Sequence, residues 1–296
     1  MFSDKSLSRR VFLGATCAAC AAEPESIIDI HQHTVYGQRD GEQLVLHQRA
    51  MGVKRTVLLP VGTRPGLSPG AGGNQSALDL ARKYPAEFLF FANAAPDNPQ
   101  APREIEKFLQ AGALGIGEQK FAFECDSAPM QAIYAIAQDH QIPVLLHFQH
   151  GAFNLGIERF HKMVEKFPKV KFIGHAQTWW GNIDRKHDQS VMYPKGPVTP
   201  GGITDRLLSD YPSVYADSSA DSGLNALLRD EDHARAFLDR HQDKLMFGSD
   251  CSDSVGSGRA CSGSQCIAAL KRLAPSGDAA QKIFRRNAVR ILKIES

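Results

Sequence analysis

Residues 26–43 read SIIDIHQHTVYGQRDGEQ, an apolar run ending in two histidines followed by ten residues that separate two folds the run could begin. The stretch at about 26–31, SIIDIH, reads as a buried strand. A doubly wound dinucleotide fold requires a glycine-rich turn directly after its first strand, and TVYGQRDGEQ has none. On a strand, alternate residues share a face, so Asp29, His31 and His33 point one way and Ile28 and Ile30 the other. Two imidazoles on one face suit metal ligation, but each also suits a hydrogen-bonded core residue, so the rest of the chain must supply partners.

Outward from this stretch, seven further apolar runs read as strands, at about 53–61, 87–94, 113–120, 142–148, 170–176, 213–219 and 244–250. Helical patterns fall between them at about 42–51, 75–84, 101–111, 128–140, 157–167, 202–210, 231–241 and 264–273, with a last one at 278–292. Strands alternating with helices predict βαβ units and a parallel sheet. Eight such units in a chain of 296 residues predict an α/β fold of the (β/α)8 TIM-barrel type, one domain over residues 23–296. Two connections are long, 62–74 and 177–201, and both leave C-terminal strand ends, the face where barrel enzymes keep their sites.

The net charge is +2 with no long run of one sign, which argues against a nucleic-acid or membrane-surface partner. A small-molecule substrate is the default partner, and association into a homo-oligomer is left open. At the N-terminus, Arg9-Arg10 precede a short apolar stretch, Val11 to Ala22, that ends in small residues. The stretch is too short to span a bilayer and has the layout of an export signal. It resembles a twin-arginine signal, which implies removal of residues 1–22 and export of the folded protein to the periplasm.

Four cysteines follow residue 22: Cys125, Cys251, Cys261 and Cys266. In an oxidising compartment the last three can include one disulfide, with the pairing open. No Cys-x-x-Cys pair remains among them, which argues against a cysteine-based zinc site.

Other metal-capable residues fall at strand ends on the same rim as His31 and His33: Glu118 on the fourth strand, His147 on the fifth, His175 on the sixth and Asp250 on the eighth. Each alone could cap a helix or pack in the core, but six on one rim point to a site. Imidazole and carboxylate without thiolate favour a catalytic divalent metal, zinc or manganese, as one or two ions. Such an ion brings the pKa of bound water to about 7, and Asp250 is the candidate to take the proton.

DIHQH on the first strand, VLLH on the fifth, IGHA on the sixth, GSD on the eighth and the closing IFRRNAVRIL together resemble the amidohydrolase superfamily, and within it the amidohydrolase-related (amidohydrolase 2) family. The resemblance runs over about residues 26–293. It implies that His31, His33 and His147 bind metal, that His175 binds a second metal or the substrate, and that Asp250 is both ligand and proton acceptor. Members hydrolyse lactones, esters or amides, and some are non-oxidative decarboxylases using one divalent metal. In the wider superfamily a strand-four carboxylate, or a carboxylated lysine, bridges two metals, while decarboxylase-like members lack that bridge. Here GIGEQKF offers Glu118 and Lys120 on one face, so Glu118 is expected as a bridging or second-site ligand, the alternative being an ion pair with Lys120.

For the substrate, the segments after strands five and six offer Phe148, Gln149, His150, Trp179, Trp180, Asn182 and Tyr193 as an aromatic wall and polar donors, expected of a cyclic or aryl ligand. The tryptophans equally suit packing of the long loop. Arg64 and Arg185 are candidates to pair a substrate carboxylate. The expectation is an exported metal-dependent hydrolase in which a metal-activated water attacks a carbonyl. Its rivals are a decarboxylase of the same family and, in another class, a periplasmic binding module without turnover.

Overall fold

The structure, a computed structural model, describes residues 26–61 and 71–294. The expected export signal, Arg64 and most of the 62–74 loop lie outside the described residues. The strands are β1 (Ile27–Gln32), β2 (Val53–Leu58), β3 (Phe88–Phe90), β4 (Ile116–Gln119), β5 (Pro143–His147), β6 (Lys171–His175), β7 (Val214–Asp217) and β8 (Leu245–Met246). Every pairing between them is parallel.

The strands form two sheets, β1-β2-β3 and β4-β5-β6-β7-β8, rather than the single closed ladder expected. The reason lies at the seams, where β3 and β8 are only three and two residues long and leave little ladder to form. Single contacts cross the gaps. An isolated bridge joins Ala92 to Ile116, while Ile30 N–H donates to Phe247 O (3.0 Å) and Asp250 N–H to His31 O (2.8 Å).

The helices are α1 (Gly41–Ala50), α2 (Asn74–Lys83), α3 (Ala101–Gln110), α4 (Ala128–His140), α5 (His161–Lys166) and α6 (Gln177–Gly181). They continue as α7 (Ile203–Asp210), α8 (Ala220–Leu228), α9 (Glu231–His241), α10 (Ser262–Leu273), α11 (Gly277–Gln281) and α12 (Asn287–Leu292). A reciprocal cap starts α1: Asp40 accepts from Gln43 N–H, and the Gln43 side chain accepts from Asp40 N–H. Two helices were not expected. The stretches of α6 and α8 read as loop because QTWWGN and ADSGLN are rich in small, polar and aromatic residues. Burial of Trp179, Trp180, Leu224 and Leu227 against the core makes them helical all the same.

The core has two layers. The larger lies between strands and helices and includes Leu44, Phe108, Tyr134, Phe172, Trp179 and Phe237. The smaller fills the space inside the strands with Ile28, Ile30, Val57, Leu145, Ile173, Tyr215 and Met246. Ile291 and Leu292 of α12 join this inner layer from below, where Lys171, the first residue of β6, donates to Ile291 O. Among the described residues no helix is long and apolar enough to cross a membrane.

Candidate metal centre

Period-two alternation carries the inner apolar layer directly into a polar one. Two residues beyond Leu145, Ile173 and Tyr215 stand His147, His175 and Asp217, each at the C-terminal end of its strand. On β1 the register shifts between Asp29 and Gln32. Strict alternation predicts Asp29 beside His31 and His33, and that shift separates them. Asp29 instead turns outward, accepting from Gln48 Nε2 (2.7 Å) and from Ser249 N–H (2.9 Å). Burial pushes its carboxyl up against these hydrogen bonds.

The structure brings His31, His33, Glu118, His147, His175 and Asp250 together. His31 Nδ1–H donates to Asp217 Oδ2 (2.5 Å), and His33 Nδ1–H donates to Leu59 O (2.7 Å). Those bonds leave each Nε2 free to hold a proton or an ion, and the two face each other at 3.3 Å. Two lone pairs at that separation repel unless a proton or a cation stands between them. With metal–nitrogen bonds of about 2.0–2.1 Å, adjacent ligand nitrogens of a tetrahedral ion lie about 3.3 Å apart, so the donor set fits a divalent ion.

The carboxylates complete the ring. Glu118 Oε2 lies 3.5 Å from His33 Nε2 and 3.8 Å from His31 Nε2, while Oε1 lies 2.5 Å from His147 Nδ1 and 3.6 Å from His175 Nε2. One carboxylate thus faces two histidine pairs with its two oxygens. Asp250 likewise reaches His33 with Oδ1 (3.4 Å) and His175 with Oδ2 (3.6 Å). Gly117, at φ 146°, enables this approach, because a Cβ there would meet Leu145 O at 2.9 Å. The Asp250 backbone sits at φ 39°, a conformation that aspartate tolerates and that its bond to His31 O holds in place.

Burial opposes charge at Glu118, Asp250, His31, His33 and His147, and in four of these five the neighbours override it. At Glu118 burial is outweighed by Lys120 and His147, which hold the carboxyl well below its ordinary range. At Asp250 burial is outweighed by His31, His175 and His33, again well below. The reverse holds at His31, where burial loses to Asp250 and Asp217 and the imidazole is held well above its ordinary value. His33 is raised as well, against its burial, by Asp250 and Glu118. Only at His147 does burial win, pulling it down to about 4 against Glu118. Lys120 makes no direct pair with Glu118 and instead stands over the Phe153 ring at 5.7 Å.

The remaining expected residues are placed differently. Trp179 and Trp180 are buried in the strand–helix layer, not at the mouth, because Trp179 stacks on Phe148 and Trp180 donates to Asp217 O (2.9 Å). Gln149 stands at the site, its Oε1 3.1 Å from His147 Nε2. His150 is exposed and lines a neighbouring cavity of about 310 Å³ with Asn154, Arg159 and Gln189. Asn182 pairs with Gln189, Tyr193 accepts from Gln177, and Arg185 is exposed. Cys251, Cys261 and Cys266 are free thiols, not the disulfide the sequence admitted, because Cys251 and Cys261 stand 3.6 Å apart and Cys266 is turned to Ser218 O.

Sequence reading missed Asp217, although the alternation that selects His147 and His175 also selects it. It also missed Tyr36, whose ring stands edge-on to His33 at 5.4 Å, and Ser219, 3.0 Å from His175 Nδ1. No short-range signal marks those two.

A sequence model of the amidohydrolase family matches residues 67–294. Among curated proteins, none matches the chain in sequence. Solved structures share the fold at low identity. An uncharacterised TIM-barrel protein from Bordetella bronchiseptica has 17% identity and a TM-score of 0.65, covering 90% of this chain and 98% of that one. A probable 2-pyrone-4,6-dicarboxylic acid hydrolase from Acinetobacter baumannii, with citric acid bound, has 15% identity and a TM-score of 0.59, covering 91% and 100%. A dihydroxybenzoic acid decarboxylase from Polaromonas, with manganese and 2-nitroresorcinol bound, has 17% identity and a TM-score of 0.55, covering 85% of each chain.

Proposed function

This chain belongs to the amidohydrolase family, and on that premise we propose that it is a metal-dependent hydrolase that opens a lactone, ester or amide of a small, cyclic or aromatic substrate. The observation that carries the reading is the division of Glu118, one oxygen toward His31 and His33 and the other toward His147 and His175. That arrangement suits a carboxylate shared by two cation positions. A divalent ion, zinc or manganese, would supply Lewis-acid polarisation of the carbonyl and a more acidic water.

The chain's own groups would do the rest. His31, His33, His147, His175, Glu118 and Asp250 hold the charge, and Asp217 fixes the His31 tautomer from behind. Asp250 is the proton acceptor: its side chain is 14% exposed, against 5% or less for the other five, so it alone can pass a proton to solvent. His175 orients the carbonyl or stabilises its developing charge, and Gln149 offers an amide to the substrate. Export to the periplasm is part of the proposal and rests on Arg9-Arg10 and the apolar stretch after them.

A second reading is favoured by the 2.5 Å contact between His147 and Glu118. If that pair stays closed on itself, one ion remains, and a single-ion site suits decarboxylation of a carboxylated phenol, the chemistry named for the Polaromonas structure. Metal content per chain, counted beyond any ion held by cysteine sulfur and measured beside Glu118→Gln, separates the two. About two ions falling to one support the hydrolase, with label from heavy-oxygen water entering the product. About one ion indifferent to Glu118, with carbon dioxide released and no water consumed, supports the decarboxylase. No ion at all overturns both.

A further inference from the structure

Behind the candidate metal centre lies a second group of ligand-type side chains that the reaction does not use. His47 and Met51 stand one turn apart on α1 and its C-terminal cap, Cys251 follows Asp250 directly, and Cys261 caps the N-terminus of α10. All four are buried, Met51 at 8% exposure being the least so. Cys261 Sγ lies 3.6 Å from Cys251 Sγ, 3.6 Å from His47 Nε2 and 3.5 Å from Met51 Sδ. The His47, Cys251 and Cys261 ligand atoms all fall within 4.8 Å of one another.

The three separations from Cys261 Sγ match those within a coordination shell. With bonds of about 2.3 Å to sulfur and about 2.0–2.1 Å to nitrogen, tetrahedral geometry puts two sulfurs about 3.8 Å apart and sulfur and nitrogen about 3.6 Å apart. A disulfide would require the sulfurs to close to about 2.05 Å.

The surroundings favour ligation independently. Gln48 Nε2 donates to Asp29 Oδ2 (2.7 Å) and to Thr56 Oγ1 (2.6 Å), so its Oε1 is the atom that accepts from His47 Nδ1–H (3.1 Å). That chain of bonds favours the tautomer that leaves His47 Nε2 as a lone pair, 3.6 Å from Cys261 Sγ and 3.9 Å from Asp253 Oδ2. At Cys261, Ser264 N–H donates to Sγ (3.3 Å) from the positive end of a twelve-residue helix, yet the neighbouring Cys251 sulfur and burial push the thiol up, so both sulfurs ionise together only with a cation between them. The buried Arg39 guanidinium donates to Cys251 O (2.6 Å) and to Asp253 O (2.6 Å), bringing a compensating positive charge to the same loop.

We propose that His47, Cys251, Cys261 and Met51 form a closed structural site for a thiophilic d10 cation, Zn²⁺ or Cu⁺, which ties α1 to the loop that carries Asp250. Two thiolates and a thioether are soft donors that such ions select, and the imidazole suits zinc and copper alike. Both thiol protons leave to solvent on binding. Burial of all four side chains leaves no open position for substrate, so the ion holds structure and takes no part in the reaction. The sequence argued against such a site because no Cys-x-x-Cys pair remains. The ligands come instead from stretches about two hundred residues apart, which adjacent cysteines cannot signal.

The test uses the full chain stripped by chelator under reducing conditions and titrated with Co²⁺ as probe. A thiolate-to-cobalt charge-transfer band should appear with one equivalent and be lost in both Cys261→Ser and His47→Gln. The carboxylate and histidine groups of the rim cannot give that band, so it reads this site even if the rim binds nothing. Elemental analysis of the protein as isolated then identifies zinc or copper, and that element should fall by about one equivalent in either variant. Should Cys261→Ser not fold, the wild-type band and His47→Gln still decide. Cobalt uptake without the band overturns the site, as does a Cys251–Cys261 disulfide in the isolated protein, two hydrogens lighter by intact mass.

Discussion

Asp250 and Cys251 are consecutive in the chain, yet they serve two clusters of opposite character. Asp250 turns inward to a ring of imidazoles and carboxylates at the strand ends, and Cys251 turns outward to sulfur between α1 and α10. The rim cluster uses imidazole and carboxylate without sulfur and keeps one partly exposed member, as a site that must admit substrate requires. The sulfur cluster is soft and closed, as a site that only holds structure requires. Donor type and openness thus separate chemistry from support across a single peptide bond, and a substitution of one rim side chain should leave the sulfur cluster in place.

The largest expected effect is from Asp250→Asn. The amide keeps the size of the side chain but cannot accept the proton, so turnover of whichever lactone, ester or carboxylated phenol the chain accepts should fall by about 10²–10⁴. The cobalt–thiolate band should be unchanged. Near-normal kcat would remove Asp250 from the mechanism, and loss of the band would show that the two clusters are not independent.

Next is Asp217→Asn, which keeps a hydrogen-bond partner for His31 but removes the charge behind it. Affinity of the rim for a divalent ion should drop by about 10–100-fold in chelator competition, while the sulfur site keeps its ion. An equal loss at both would mean that Asp217 acts on the whole fold.

A dependence on pH follows from His31 and His33, both raised above their ordinary value. Below those raised values protons occupy the nitrogens an ion needs, so affinity at the rim should weaken as pH falls, by about tenfold per unit for each proton displaced. His147, pulled down to about 4, is already neutral and contributes no such proton. The metal-free protein should show the opposite trend. The stability that His31 draws from Asp217 and Asp250 is complete below about 6.5, the unfolded value, and is lost as pH rises through its raised folded value. Added divalent ion should therefore raise Tm more at pH 8 than at pH 6, and an equal gain at both would contradict the shifts.

How far the sequence could have led differs between the clusters for a physical reason. Parallel strands make depth legible: once Leu145 and Ile173 face inward, His147 and His175 follow two residues on, and Asp217 follows Tyr215 by the same count. Register shifts are not legible, so Asp29 was expected beside His31 although the shift in β1 turns it away. The seams were hidden too, because strand length at β3 and β8 is set by what packs on them. The sulfur cluster was out of reach, since His47 and Cys261 meet only through the closure of the fold.

The smallest effect concerns a residue that belongs to neither cluster. Trp179 is fully buried, its Nε1–H has no partner, and its ring lies against Gly174, where an added Cβ would come within 2.2 Å of it. Trp179→Phe trades lost packing against removal of an unpaired buried donor, a net cost of about 1 kcal/mol, or about 2 °C in Tm for a chain of this size. Neither kcat nor KM should move, and both metal contents should stay. Trp180→Phe differs, because Nε1–H donates to Asp217 O at the end of β7 and the loss leaves that oxygen unpaired beside the carboxylate that orients His31. It should weaken ion binding at the rim slightly as well as lower Tm. A KM change in Trp179→Phe without a change in Tm would return that ring to the substrate wall and remove the distinction between the two tryptophans.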